Sequence, residues 1–324
     1  MENATLSFCF NFTMFLNIGH YRYPAFVFCL LLYGFTVFAN LVIVMIISLD
    51  SSLHEPMYIF IAVLSINSVF GSTGFFPRFL MDLLSDSHLI SRPSCFTQIF
   101  VIYSCASNEM TILGIMAYDR YVAVCHPLDY HRKMTSKTVY ILTVFALLYP
   151  AGNLTVTLFM VVRIPLCGNN IQKMYCASWN IVKLSCVTAV NNILAMLGAI
   201  AMAFLPLTFI LYTYLRIVVV CCKNSSEVGE KVLHSCLPHV VSFVIYSVTS
   251  FSDTVLSRQN LEEINPLVAV ILSLEFVVIP PVLNPIMYGL KLPEIRKHIF
   301  RILRFKPKSK KKSCRSSTET AVIM

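Results

Sequence analysis

Apolar residues along the chain fall into seven long runs separated by short polar segments, many of them basic. The runs cover residues 25–48, 57–80, 96–124, 139–161, 190–221, 232–252 and 267–290. Each reaches the ~20 apolar residues that a helix needs to cross the hydrocarbon layer. The second is interrupted near its end by Arg78, whose long side chain can snorkel to the interface. The pattern predicts an all-α membrane protein built as a seven-transmembrane helix bundle over residues 25–290. An N-terminal segment (1–24) precedes it. A basic tail (291–324) follows it and opens with a short amphipathic helix.

Composition supports a membrane protein. Of 324 residues, 57% are hydrophobic and 13% charged, against ~25% charged in a soluble globule. No basic start followed by an apolar core occurs in the first two dozen residues, so the first span is expected to serve as its own insertion signal. Lys and Arg set the orientation. They crowd the tail, with Lys291, Arg296, Lys297, Arg301 and Arg304 followed by Lys306–Lys312 and Arg315, and recur between the third and fourth runs as Arg132, Lys133 and Lys137. Both segments belong on the cytoplasmic side, which with seven spans places the N-terminus outside, in a multi-pass protein of the plasma membrane. Much of the +9 net charge is this tail. Attraction to anionic inner-leaflet lipid accounts for it at ~1 kcal/mol per basic residue, without a nucleic-acid partner.

Two other signals sort by side. The sequons at Asn3 and Asn11 lie in the N-terminal segment, where glycosylation is possible, whereas those at Asn153 and Asn224 fall in a span and a cytoplasmic loop and are expected to be unused. Cys95, Cys167, Cys176 and Cys186 fall on the oxidising outer side, and four cysteines allow three pairings. Cysteines within the spans are packing residues. No zinc-type spacing occurs, so no metal site and no cofactor is expected.

The third run ends in residues 116–130, MAYDRYVAVCHPLDY. Asp119 and Arg120 stand where a helix meets water. Opposite charges there can neutralise each other while dry and separate when wet, forming a two-state latch. A bare Asp-Arg pair is equally an ordinary mark of a helix end. The whole string, however, resembles the third-helix signature of odorant receptors in the rhodopsin-like G-protein-coupled receptor family. LHEPMY at 53–58 is similar to the family's string between its first two helices. KVLHSCLPH at 231–239 is similar to the entry to its sixth helix, and PVLNPIMY at 281–288 to the end of its seventh. The resemblance covers nearly the whole chain after Asn40 and looks most like the fish members. It departs at Ala39, where Gly is usual, and at Ser68, where an Asp is usual. Glu109 matches the family's acidic residue, so a sodium site built from two carboxylates would lack one of them.

The resemblance implies specific roles. It ties Cys95 to Cys176, leaving Cys167 and Cys186 to close the second outer loop. It makes Asp119, Arg120, Tyr121, Tyr214, Asn284, Pro285 and Tyr288 the switch that couples to a heterotrimeric G protein. Pro285 frees a carbonyl in the seventh helix and permits a hinge. An ionisable group at membrane depth costs ~2.5–3.5 kcal/mol on insertion scales, so Glu109 is expected inside the bundle among Asn40, Asn67, Ser68 and Asn284. There it is either a hydrogen-bonded core residue or part of a cation or water site. A small-molecule odorant would bind in an outer cavity among helices three, five, six and seven. Helical spacing turns Ile102, Tyr103, Ala106 and Ser107 into it, then Gly198, Ala199 and Met202, then Tyr246, Thr249, Ser250 and Asp253. Asp253 can pair with a cationic ligand or with Arg258.

The function implied is an odorant receptor that raises cyclic AMP through the olfactory stimulatory G protein and catalyses nothing. A non-olfactory rhodopsin-like receptor is the alternative, which expression in sensory neurons would distinguish. A small transporter or channel would show inverted repeats, broken helices or several midplane charges. No nucleophile–base or phosphate-loop motif of an enzyme is present.

Overall fold

A computed structural model describes residues 9–186, 190–223, 226–256 and 266–303; the side chains of 190–204 and 226–235 lie outside that description. Seven long helices occupy the seven apolar runs: α1 (Arg22–Leu49), α2 (Pro56–Leu84), α3 (Arg92–Cys125), α4 (Ser136–Val162), α5 (Val190–Lys223), α6 (Ser226–Leu256) and α7 (Pro266–Lys291). Local chemistry sets their starts. Ser91 and Thr135 cap α3 and α4 by accepting from the Ser94 and Thr138 amides at 3.4 and 3.3 Å, and Pro56 stands in the first turn of α2, where its missing N–H costs nothing. A short helix, α8 (Pro293–Leu303), leaves α7 at a bend of 91°.

Among the described residues, α1 to α4 and Leu205–Cys222 of α5 are each long and apolar enough to cross a membrane; the bent α7–α8 pair is a sixth candidate. Phe28, Leu31 and Phe38 of α1, Leu148 and Phe159 of α4, and Leu215 of α5 are exposed. Apolar surface on that scale is unfavourable in water and suits a lipid environment. The centre of the bundle is α3, which packs against α2, α4, α5 and α6, while α7 closes on α1, α2 and α6. The approach of α2 to α3 is close because Gly74 has no side chain: a Cβ there would overlap Val101.

Prolines interrupt α2, α4, α5, α6 and α7, and each leaves a carbonyl without its helical donor. In α7 one of the freed carbonyls is that of Pro281, four residues before Pro285. Asn40 of α1 reaches across and donates to it at 3.1 Å, with a second bond to the Thr36 carbonyl at 2.8 Å. One amide thereby satisfies a carbonyl that lipid could not.

The outer face carries a feature that the hydrophobic pattern does not predict. The N-terminal segment forms a strand, β1 (Cys9–Phe12), between β2 (Leu89–Ser91) and β3 (Asn170–Ile171), in the order β2-β1-β3. It pairs antiparallel with β2 and parallel with β3. Phe10 and Phe12 are buried beneath it while Asn11 faces away. Strands of two to four residues are too short for periodicity to reveal.

Two disulfides fix the second outer loop: Cys95–Cys176, spanning 81 residues, and Cys167–Cys186, spanning 19. Of the three pairings open to four outer cysteines, the structure holds the one that the resemblance implies. Closing a long loop contributes typically ~2–4 kcal/mol. Cys176→Ser should therefore sharply reduce delivery to the cell surface, measured by antibody labelling of intact cells. Peptide mapping that recovers Cys95 and Cys176 as free thiols from the mature protein would contradict the pairing.

Candidate functional site

Inside the bundle, polar groups from four helices converge. Glu109 of α3 is 5% exposed and accepts from the Asn284 amide of α7 at 2.7 Å. Asn67 of α2 donates to the Cys105 carbonyl at 2.8 Å, and Asn40 holds the Pro281 carbonyl as described. Beside them lies a cavity of about 30 Å³. Asn67, Ser68 and Glu109 form its polar wall; Ile102, Phe276 and Val277 are among its apolar liners. A volume of that size holds about two waters. Ser68, standing where the family has a carboxylate, leaves Glu109 as the one acidic group on the wall.

The structure separates the residues assigned to a ligand cavity. Ile102, Ala106 and Tyr246 line this cavity, and the Tyr246 hydroxyl donates to the Ala106 carbonyl at 2.8 Å. Tyr103 and Tyr246 each pack against the Phe276 ring, with centroids 6.2 and 6.3 Å apart. Ser107 is half-buried and does not line the cavity. Thr249 turns its hydroxyl back to the Ile245 and Tyr246 carbonyls of its own helix, and Ser250 is half-buried one residue on. Gly198, Ala199 and Met202 lie on α5, with side chains outside the described residues. Among the described residues, the walls of this small cavity come from α2, α3, α6 and α7.

Asp253, on α6, has a partner that sequence reasoning missed. Its carboxylate forms an ion pair with Lys173 of the second outer loop and accepts from the Tyr175 hydroxyl at 3.0 Å. Arg258 lies outside the described residues. Lys173 is fully buried and its ammonium also lies 3.3 Å from the Tyr175 oxygen and 5.0 Å from that ring's centre. Burial and the Asp253 carboxylate push the Tyr175 phenol well up, so it stays protonated and donates. The loop delivers these side chains because β3 anchors it just before Lys173 and the Cys95–Cys176 bond anchors it just after Tyr175. The Cys176 amide adds a bond to Gln98 of α3 at 3.0 Å. The sequence signal for this pair was a lone Lys between Cys167 and Cys176, which no local spacing connects to α6.

At the inner end, Asp119 is wholly buried. It pairs with Arg120 at 3.2 Å and accepts from Tyr130 at 2.9 Å. Tyr130 is the unforeseen member of this latch; burial and the neighbouring Asp119 push its phenol up, keeping the donor protonated. Tyr214 is half-buried at the inner end, packed near Ile217 and Cys221. Tyr288 is buried against the ring of His239, centroids 5.3 Å apart. Tyr121 faces the loop and meets His126 at 3.4 Å. Beyond the membrane segment, α8 is tied to the turn after α1 by a close contact of the His298 imidazole with the Asp50 carboxylate. The Ser52 hydroxyl and amide hold the Asp50 carboxyl below the usual carboxylate range. Among the described residues no cluster of three His, Cys, Asp or Glu is placed to hold a metal.

Comparison with known proteins decides the family. The olfactory receptor family model matches residues 28–306. The chain belongs to the olfactory receptor family. Olfactory receptor 51E1 of Homo sapiens is 34% identical over 84% of this receptor and 86% of its own length. Olfactory receptor 5F1 of Homo sapiens is 33% identical over 86% and 88%, and olfactory receptor-like protein OLF3 of Canis lupus familiaris 32% over 84% and 86%. The structure of squid rhodopsin superposes with a TM-score of 0.73, covering 87% of the receptor and 85% of that chain at 15% identity, which shows the rhodopsin-type fold. The receptor is thus a multi-pass odorant receptor rather than an enzyme, and coupling to a G protein is what its family implies.

The Asn40 bridge gives a direct test of the polar core. Asn40→Leu keeps the volume but leaves the Pro281 carbonyl buried without a donor, a loss of ~1–3 kcal/mol. The thermal midpoint of the detergent-solubilised receptor should fall by several degrees, while Asn40→Gln should recover part of the loss. Equal midpoints for Asn40→Leu and the parent would show that the bridge contributes nothing.

Proposed function

We propose that the receptor sits in the plasma membrane with its N-terminus outside, where Asn3 and Asn11 carry glycans, and that it binds a small odorant between the outer halves of its helices. The odorant contacts Ile102, Tyr103, Ala106, Ser107, Tyr246, Thr249, Ser250 and Asp253, with Gly198, Ala199 and Met202 facing them from α5. The basic tail lies against anionic inner-leaflet lipid. Binding shifts the population toward a packing in which the inner ends of α3, α5 and α6 separate, and the olfactory stimulatory G protein then raises cyclic AMP. A ligand produces such a shift only by its differential affinity for the two packings.

The observation that supports this reading most is the vertical arrangement of α3. One helix carries Ile102 and Ala106 on the cavity wall, Glu109 in the polar core and Asp119 and Arg120 at the inner end. A cavity of about 30 Å³ is far below the roughly 300–1,000 Å³ of ordinary ligand sites. Odorant entry must therefore spread the helices around it, and α3, packed against four others, transmits that change.

Arg120 should be needed for signalling and dispensable for folding, because it stands at the inner end with its guanidinium half-buried. Arg120→Ala should reach the surface at near-parental levels and lose at least about tenfold of odorant-driven cyclic AMP. Normal cyclic AMP from a surface-expressed Arg120→Ala receptor would remove Arg120 from the switch.

A further inference from the structure

The Lys173–Asp253 ion pair is the most unusual charge placement in the outer half of the receptor. The exposed Arg22–Asp86 pair, at 2.8 Å, needs no explanation, since surface pairs form and break at little cost. Lys173 and Asp253 are 0% and 6% exposed. Two charges taken from water at that depth face a desolvation penalty that their attraction only offsets when each keeps a partner. An apolar pair would hold the loop to α6 more simply. Inward of the pair, the rings of Tyr103 and Tyr246 pack on Phe276 as a layer, and Tyr246 and Phe276 line the small cavity. Asp253 follows Tyr246 by seven residues, two helical turns outward and about 10.5 Å along α6, on the face that Thr249 and Ser250 share.

The pairing rule restricts what can enter. A neutral molecule leaves the pair closed. A lone cation or anion takes one partner and strands the other charge in a buried site, a loss that cancels most of the gain. A molecule carrying both charges avoids that loss. Its carboxylate replaces Asp253 on the Lys173 ammonium, its ammonium replaces Lys173 on the Asp253 carboxylate, and the Tyr175 hydroxyl stays free to bridge either. Lys173 suits the exchange because its long side chain can swing aside while β3 and the Cys95–Cys176 bond keep the loop backbone in place.

We propose that the Lys173–Asp253 pair is the polar recognition element of the odorant site and that it takes a small zwitterion, an ammonium and a carboxylate a few bonds apart as in a free amino acid. The apolar remainder of the ligand packs on the ring layer beneath. This rests on the outer cavity being the odorant site, and it deepens that reading by naming the ligand class. Breaking the pair detaches the second outer loop from α6, which links ligand entry to release of the helix whose inner end must move.

The test uses four matched ligand sets: amino acids, the amines left by removing their carboxyl group, the acids left by removing their amino group, and neutral odorants of similar size. Two readouts keep the levels apart. Thermal stabilisation of purified receptor reports binding, and cyclic AMP in expressing cells reports signalling. Members of the amino-acid set should stabilise the receptor and surpass their amines and acids by at least about tenfold in midpoint. In Lys173→Gln, which leaves Asp253 unpaired, preference should move to the amine. In Asp253→Asn, which leaves Lys173 unpaired, it should move to the acid. The exchanged pair, Lys173→Asp with Asp253→Lys, should keep the receptor folded and restore the preference for zwitterions. Opposite shifts of preference cannot come from a merely structural pair, which would lower every response together. Parallel loss for all four sets in both single variants, or neutral odorants that bind and signal while no zwitterion stabilises the receptor, overturns the inference and leaves the receptor function intact. Zwitterions that stabilise the receptor without raising cyclic AMP support the inference and count against the signalling reading.

Discussion

Hydrocarbon supplies no hydrogen bonds, and the receptor's architecture follows from that constraint. Each proline inside a spanning helix frees a carbonyl, and a polar side chain at depth is satisfied either by its own helix or by another. Asn40 meets the Pro281 carbonyl, Asn67 meets Cys105, and Asn284 meets Glu109. These bonds connect α1 to α7, α2 to α3 and α7 to α3. The same bonds that satisfy buried groups therefore choose which helices neighbour which. Apolar side chains alone could not make that choice, since lipid tails are as apolar as the helices themselves.

Two buried ion-paired sites lie toward the two aqueous faces, Lys173 with Asp253 at the outer one and Asp119 with Arg120 and the Tyr130 hydroxyl at the inner one. At each site a helix is joined to a loop: α6 to the second outer loop, α3 to the loop before α4. Ion pairs that are buried yet lie near an aqueous face are suited to being exchanged, because a competing partner or water can enter from one side. Between them the small cavity leaves room for rearrangement that a fully packed core would resist. In the proposed reading α3 and α6 carry the coupling between outer and inner ends, with Pro285 of α7 as a place to bend.

Much of this was legible in the sequence because lipid makes apolar length decisive. The seven runs locate the seven helices, with ends that differ by up to six residues, at the start of α6. The string around Asp119 and Arg120 indicates the family, and the resemblance carries Cys95 to Cys176. What could not be read were contacts between distant segments with no periodic signal. Lys173 is one basic residue in a loop, and nothing in its neighbourhood points to Asp253, 80 positions on. Tyr130 lies in a polar loop where a tyrosine is unremarkable, yet its hydroxyl completes the Asp119 site. Strand β1 is four residues of a segment too short for alternation to stand out. Gly71 and Gly74 allow α2 to approach α3 closely and so to line the small cavity, which spacing along a single helix cannot reveal.

The central claim is that an event in the outer cavity is expressed as separation of the inner helix ends. Pulsed electron resonance between spin labels at His126, just past α3, and Leu237, an exposed site low on α6, measures this directly in the membrane-reconstituted receptor. With agonist and G protein present, the distance distribution should gain a population longer by several ångströms, and Arg120→Ala should reduce G-protein stabilisation of it. A distribution unchanged by a saturating agonist that is shown to bind would contradict the account.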